Sequence, residues 1–234
     1  MIRTSSGRFR GLAAAALATL LLGSLGATAA AHPPRFLTLP FADTRGMHVE
    51  DGWWRVDGTF HHGIDYIKGR VGVGSTWQSF PIVAAADGWA CAALDDKPGC
   101  ISGVGTRILI RHVLPNGHVY LTYYGHLRKI APEIAVGTDR YSTHVTRGQI
   151  IGWAGKTGLP GTGTHLHFEL MTKPGKWIDP YDIRSTRERY PDPAGKNALV
   201  SGPGYWWTQP RPVPPPVTAG FGAEPLVRGV AWAA

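Results

Sequence analysis

The 234-residue chain lacks several features that would point its function elsewhere. It has only two cysteines, Cys91 and Cys100, and without a second pair they make a poor zinc cage. Convincing amphipathic helices are absent, and no internal repeat is evident. No run of Lys and Arg is dense enough to argue for nucleic acid, so no such partner is expected. No segment beyond residue 31 is apolar for the roughly 20 residues that a membrane span needs.

Acid is missing from the first 31 residues, which carry Arg3, Arg8 and Arg10. An Ala- and Leu-rich run from Gly11 to Leu25 follows, and then the small residues Ala27-Thr28-Ala29-Ala30-Ala31. Basic start, short apolar middle and small-residue end together read as a secretory signal, with cleavage expected near Ala31. The alternative is an uncleaved anchor, for which the apolar run is short. Arg8 and Arg10 are not adjacent, so a twin-arginine route is not indicated. Export places the chain outside the cytoplasm, with no stable membrane association after cleavage. Of 24 basic and 16 acidic residues, three basic ones lie in this segment, so 21 minus 16 leaves +5. That balance tolerates anionic surroundings such as cell wall and argues nothing sharper.

Exported chains keep disulfides. Eight residues separate Cys91 from Cys100, with the turn-forming Pro98-Gly99 among them. A single bridge closing the Leu94 to Gly99 loop is expected. In a loop-entropy model it is worth about 3 kcal/mol.

Three zones follow the signal. Residues 32–45 form a leader with Pro33, Pro34 and Pro40, and residues 46–185 have the length of one compact domain. Residues 186–234 hold nine of the nineteen prolines, including the extended stretch Pro210 to Pro216. Trp206, Trp207 and Trp232 of this tail could dock on the body or on glycan, but the composition favours a partly mobile tail.

The body reads as antiparallel β. Pro81 to Ala86 is a short apolar run stopped by Asp87-Gly88. Thr106 to His112 alternates, with Ile108, Ile110 and His112 on one parity. Asn116-Gly117 is a hairpin signal, and His118 to Tyr124 is the returning strand. Gln149 to Trp153 and His165 to Met171 complete the set. Short strands with turn signals between them predict an all-β domain.

Ten histidines are present, and four fall in patterned places. In His61-His62-Gly63-Ile64-Asp65, an imidazole and a carboxylate are four residues apart, and Gly63 permits a sharp backbone path. In His165-Leu166-His167, period-two alternation sends both imidazoles to one face and Leu166, Phe168 and Leu170 to the other. Catalytic zinc takes three protein ligands and keeps a fourth position open for water. A further imidazole can take a proton or hold a developing oxyanion. Each motif alone is weak, and their agreement in context is stronger.

That context resembles the lysostaphin-like (LytM-like) zinc metallopeptidases, a family of peptidoglycan endopeptidases. The resemblance rests on His61-His62-Gly63-Ile64-Asp65 and on Gly155 to Gly158 followed by Gly161 to Leu170. Pro81 to Gly88, Ile108 to His112, Tyr124-Gly125-His126-Leu127 and Asp179-Pro180 also match in kind and order. It spans roughly residues 58 to 181. It implies an antiparallel β domain with a substrate groove, and one zinc ion on His61, Asp65 and His167. His165 and His126 would be the catalytic imidazoles, with the choice of general base left open. The implied reaction is peptide-bond hydrolysis in peptidoglycan, by a monomer. The alternatives are a non-catalytic wall-binding or hydrolase-regulating protein of the same fold, or an enzyme acting on protein outside the wall. The sequence departs from the family at Gly161-Thr162-Gly163-Thr164, around Asp95 to Gly103, and in the glycine-rich stretch from Lys68 to Ser79. Such loops usually line the groove, so they bear on substrate preference.

Plainer readings cover the other residues. His62 is read as exposed or as backing the site, and His112 as a satisfied core or groove-wall histidine. His48, His118 and His144 read as surface. Glu169 shares parity with His167 and either orients an imidazole or is solvated. Tyr123 and Tyr124 read as packing residues.

Overall fold

The computed structural model describes residues 35–95, 97, 103, 105–137, 140–194 and 205–206. The expected signal, Cys100, Trp207, Trp232 and the proline stretch at 210–216 lie outside the described residues. Among the described residues no helix is long and apolar enough to cross a membrane. The helical content among the described residues is two single turns, at Gly74–Thr76 and Arg187–Arg189.

Among the described residues eleven strands form two antiparallel sheets, as the period-two pattern predicts. They are β1 (Met47–Asp51), β2 (Ile64–Lys68), β3 (Pro81–Val83), β4 (Gly88–Ala93), β5 (Arg107–Val113) and β6 (Val119–Gly125). The rest are β7 (Lys129–Ile130), β8 (Thr143–Val145), β9 (Ile150–Trp153), β10 (Leu166–Lys173) and β11 (Lys176–Ile178). The large sheet runs β1-β2-β10-β6-β5-β4-β8, and β11 pairs with the second half of β10. The small sheet runs β3-β9-β7. The β5–β6 hairpin turns at Asn116-Gly117, where Gly117 takes a φ of 81° that suits glycine.

One apolar cluster joins the two sheets. Ile64, Tyr66, Ile108, Ile110, Tyr124, Leu166, Phe168 and Leu170 face Ile82, Ile151 and Leu127 within it. The segments flanking 46–185 contribute to the same cluster through Phe36, Leu37, Leu39, Phe41, Tyr190 and Trp206. Trp206 is fully buried against Phe168 and Tyr181, with ring centroids 5.8 and 5.0 Å away. Its neighbour Tyr205 donates its backbone N–H to Pro180 and accepts from the N–H groups of Phe36 and Leu37. At Trp206 the chain is therefore docked on the body. The opposite face of the large sheet carries a second, smaller cluster of Leu109, Leu121, Tyr123 and Met171.

His112 belongs to the core, as its parity predicts. Its Nδ1 donates to the Asp87 carbonyl at 2.7 Å, and its Nε2 lies 2.8 Å from the Thr122 hydroxyl. Burial pushes this imidazole down to about 4.

Candidate metal centre

The centre is built by strand register. β10 lies between β2 and β6, and the pairing sets His167 opposite Asp65 on one side and Gly125 on the other. Side chains of paired residues project to the same face, so the Asp65 carboxylate meets the His167 ring. Asp65 Oδ1 is 2.8 Å from His167 Nδ1, and Asp65 Oδ2 is 3.2 Å from His61 Nε2. His61 Nε2 and His167 Nδ1 are 3.1 Å apart.

The backbone makes this approach possible. The chain bends sharply at His62-Gly63, with His62 at a φ of 70°. A Cβ on Gly63 would lie 2.6 Å from the Phe168 carbonyl and 2.9 Å from the His167 ring. Glycine is required there for close approach of β2 to β10.

Every imidazole in the site is anchored through its far nitrogen. His61 Nδ1 donates to the Gly52 carbonyl, His126 Nδ1 to Thr157 and His165 Nδ1 to Gly163, each at 2.9 Å. A carbonyl oxygen can only accept, so these bonds put the proton on Nδ1 and leave the Nε2 lone pair free. His167 is reversed: its Nε2 donates to Glu169 Oε1 at 2.9 Å, and its Nδ1 faces Asp65 and His61. Glu169 therefore orients the ring of His167, and its other oxygen accepts from Trp177 Nε1 at 2.9 Å.

This donor set fits a divalent cation. Ligand atoms of His61, Asp65 and His167 lie within 4.8 Å of one another, and all three residues are buried. His61 Nε2 and His167 Nδ1 both lie against the Asp65 carboxylate, so a cation placed there would meet two nitrogen donors and an anionic oxygen. The field points the same way. Burial alone would lower His167, but its hydrogen bonds to the Asp65 and Glu169 carboxylates outweigh it and raise the ring to about 10. Burial likewise acts to raise Asp65, yet the His61 and His165 rings around it hold the carboxyl well below the usual range. Two imidazoles and one carboxylate are the ligand types of catalytic zinc.

His126 and His165 stand beside these three. Their rings are 4.9 Å apart, His126 is 5.8 Å from the His167 ring, and His165 Nε2 is 3.9 Å from Asp65 Oδ2. Burial pushes His126 down to about 4, with the Thr157 carbonyl acting the other way, so the ring is neutral near pH 7. His126 takes a φ of 59°, unusual for a residue with a Cβ.

The five residues picked out in the sequence thus converge on one place. Trp177 and Trp77 at its edges were not picked out. Trp77 sits 6.4 Å from the His165 ring and packs on Gly163, where a Cβ would lie 2.2 Å from the indole. Trp177 follows Lys173-Pro174-Gly175-Lys176, a turn signal that could have marked a hairpin back along β10. His62, read as exposed or as backing the site, stacks on Trp177 with centroids 4.1 Å apart. Cys91 is fully buried on β4, and its expected partner lies outside the described residues.

The model of peptidase family M23 matches residues 59–180, more than half of the chain and the stretch that holds all five groups. The chain belongs to peptidase family M23. Among individual M23-like proteins it is 34% identical over 117 residues to the glycyl-glycine endopeptidase ALE-1 of Staphylococcus capitis. That alignment covers 50% of this chain and 26% of ALE-1. It is 30% identical over 116 residues to lysostaphin of Staphylococcus simulans, covering 50% of this chain and 19% of lysostaphin. The chain thus matches a minor part of each relative's length. The catalytic domain of the M23 protein EnpA of Enterococcus faecalis superposes with a TM-score of 0.40 at 23% identity, covering 64% of this chain and 95% of that one. Csd3 of Helicobacter pylori gives 0.40 at 25% identity, over 65% and 34%.

Proposed function

We propose that this chain is an exported zinc endopeptidase that hydrolyses peptide bonds of bacterial peptidoglycan. In this reading His61, Asp65 and His167 hold one zinc ion, and His126 and His165 act on the reacting groups. One observation carries it: ligand atoms of His61, Asp65 and His167 lie within 4.8 Å of one another, with the rings of His126 and His165 beside them. Membership of a peptidase family and a relative named as a glycyl-glycine endopeptidase support the reaction class.

When bound, the ion supplies Lewis acidity and lowers the pKa of its water to about 7. The chain's own part is positional. Asp65 and the two ligand rings are held before any ion arrives. The free Nε2 atoms of His126 and His165 can accept a proton from the attacking water or, once protonated, donate to the developing oxyanion. Trp77 and the 161–164 loop border His165 on one side, and Trp177 and His62 border His167 on the other.

Export is supported by the charge and apolar pattern of residues 1–31, and the mature N-terminus is expected near His32. A Cys91–Cys100 bridge belongs to the same reading. Two free thiols in the unfolded, unreduced protein would remove it.

Digestion of purified sacculi, with mass spectrometry of the released fragments, tests the function. Release of peptide fragments with new amino termini, abolished by a chelator and restored by zinc, is expected. Intact cross-links and stems after prolonged digestion by zinc-loaded protein would refute it.

A further inference from the structure

A ladder of four aromatic rings runs along the surface from the metal centre. Trp54 packs on Phe60 with ring centroids 4.9 Å apart, Phe60 on His62 at 4.3 Å, and His62 on Trp177 at 4.1 Å. Trp54, Phe60 and Trp177 are among the largest exposed apolar residues described, at 40%, 39% and 36% exposure. Contiguous exposed rings on an otherwise polar surface mark a binding site more often than chance.

The ladder is rigidly built. Trp54 and Phe60 pair across a tight turn in which Gly58 has a φ of 82° and Asp57 accepts from the Thr59 N–H and hydroxyl. Trp53, beneath them, is buried and meets the Phe60 ring edge-on at 5.1 Å. His62 holds a left-handed backbone, costing on the order of 1 kcal/mol, and its ring lies within 11° of parallel to the Trp177 indole. The Trp177 N–H is fixed on Glu169, which also holds His167. At the hinge of the ladder, Phe60 and His62 flank His61 in sequence. Whatever lies on these rings is continuous with what reaches the metal centre.

We propose that the Trp54–Phe60–His62–Trp177 ladder is a saccharide subsite, which seats a pyranose of the glycan strand while the attached peptide reaches the metal centre. This rests on the peptidoglycan reading above. The rings are inclined to one another, Trp54 to Phe60 at 44° and Phe60 to His62 at 89°, and only His62 and Trp177 are near parallel, so the outer faces of Trp54 and Trp177 are the ones left to stack on. A pyranose suits such a surface, because its C–H faces stack on the electron-rich ring faces and its hydroxyl rim stays in water. Rigid aromatic rings also give contact area at little cost in conformational entropy.

Titration of the intact zinc-loaded protein with a peptide-free β-1,4-linked N-acetylglucosamine oligomer tests this. Saturable binding with a shift of the Trp177 indole N–H resonance is expected. Trp54→Ala and Phe60→Ala should each weaken binding on the order of tenfold. Trp89→Ala, on β4 beside His144, should not. Zinc content and melting temperature report whether each variant is folded, and the Trp177 shift in the unaltered protein does not depend on any variant. No saturable binding, equal binding by Trp54→Ala and Phe60→Ala, or a loss of the same size in Trp89→Ala would overturn the subsite. So would displacement of the oligomer by an apolar, sugar-free peptide. Failure of the peptidase reading shows separately, as sacculi left uncut by a protein that still binds the oligomer.

Discussion

Alternate residues of β10 serve two regions of the molecule that are governed by different physics. Leu166, Phe168 and Leu170 are fully buried in the main core, where what matters is volume. His167 and Glu169, with His165 just before the strand, face the metal centre, where what matters is which atom carries a proton and where it points. A core face tolerates a change of chemistry that keeps shape better than a loss of volume. The site face should behave in the opposite way. The two faces are one residue apart, so the contrast can be tested within a single strand.

The largest effect is expected on the site face. His61→Ala and Asp65→Ala should each reduce bound zinc from about one ion per chain to background, read by metal analysis after dialysis. Unchanged zinc in both variants would break the ligand assignment. Next, His126→Ala and His165→Ala should retain zinc but lose activity by about 10²- to 10⁴-fold, read as the rate of fragment release from sacculi. Full activity in both would remove their assigned role.

On the core face, Phe168→Ala should destabilise the fold by about 3–5 kcal/mol, measured by urea unfolding of the metal-free protein. A loss below about 1 kcal/mol would mean that the face is not packed as described. A smaller effect is expected from His112, whose folded pKa of about 4 lies below the ordinary value of 6.5. Between those values the unfolded chain binds a proton that the folded chain refuses, so stability falls as pH drops from about 6.5 to about 4 and is fully present above that window. The shift corresponds to at most about 3 kcal/mol. It should appear as a slope in unfolding free energy that His112→Asn flattens. The smallest effect sharpens the comparison most. Glu169→Gln preserves shape and should leave folding stability nearly unchanged, while lowering zinc affinity 10- to 100-fold in chelator competition. A folding loss without an affinity loss would move Glu169 from the site to the scaffold.

Much of the site was legible because strand alternation is a local property. His165 and His167 on one parity, with Leu166, Phe168 and Leu170 on the other, follow from period two alone, and so does the burial of His112. The role of Glu169 was half legible: its parity showed the face but not the partner. Trp177 was missed because it reaches the site only through the β11 return. The bend at His62-Gly63 was legible, but the close approach of His167 and Phe168 was not, since a glycine needed for a neighbour's approach looks the same in sequence as one needed for a turn. Docking of Trp206 on the body was one of the alternatives open in the sequence, and composition could not select it. A proline-rich composition describes the average of a tail, not the two residues within it that pair with Leu37 and Pro180.

The sequence by itself determined the strand character, the alternation of polar and apolar residues, and the types of donor available for a metal. Those depend on near neighbours along the chain. Only the tertiary structure decided that Asp65 and His167, 102 residues apart, stand 2.8 Å from each other, and that carbonyls of Gly52, Thr157 and Gly163 fix the tautomers of three rings. Register between distant strands, and the backbone groups it brings alongside a side chain, come from packing the whole core. No local pattern in the chain encodes them.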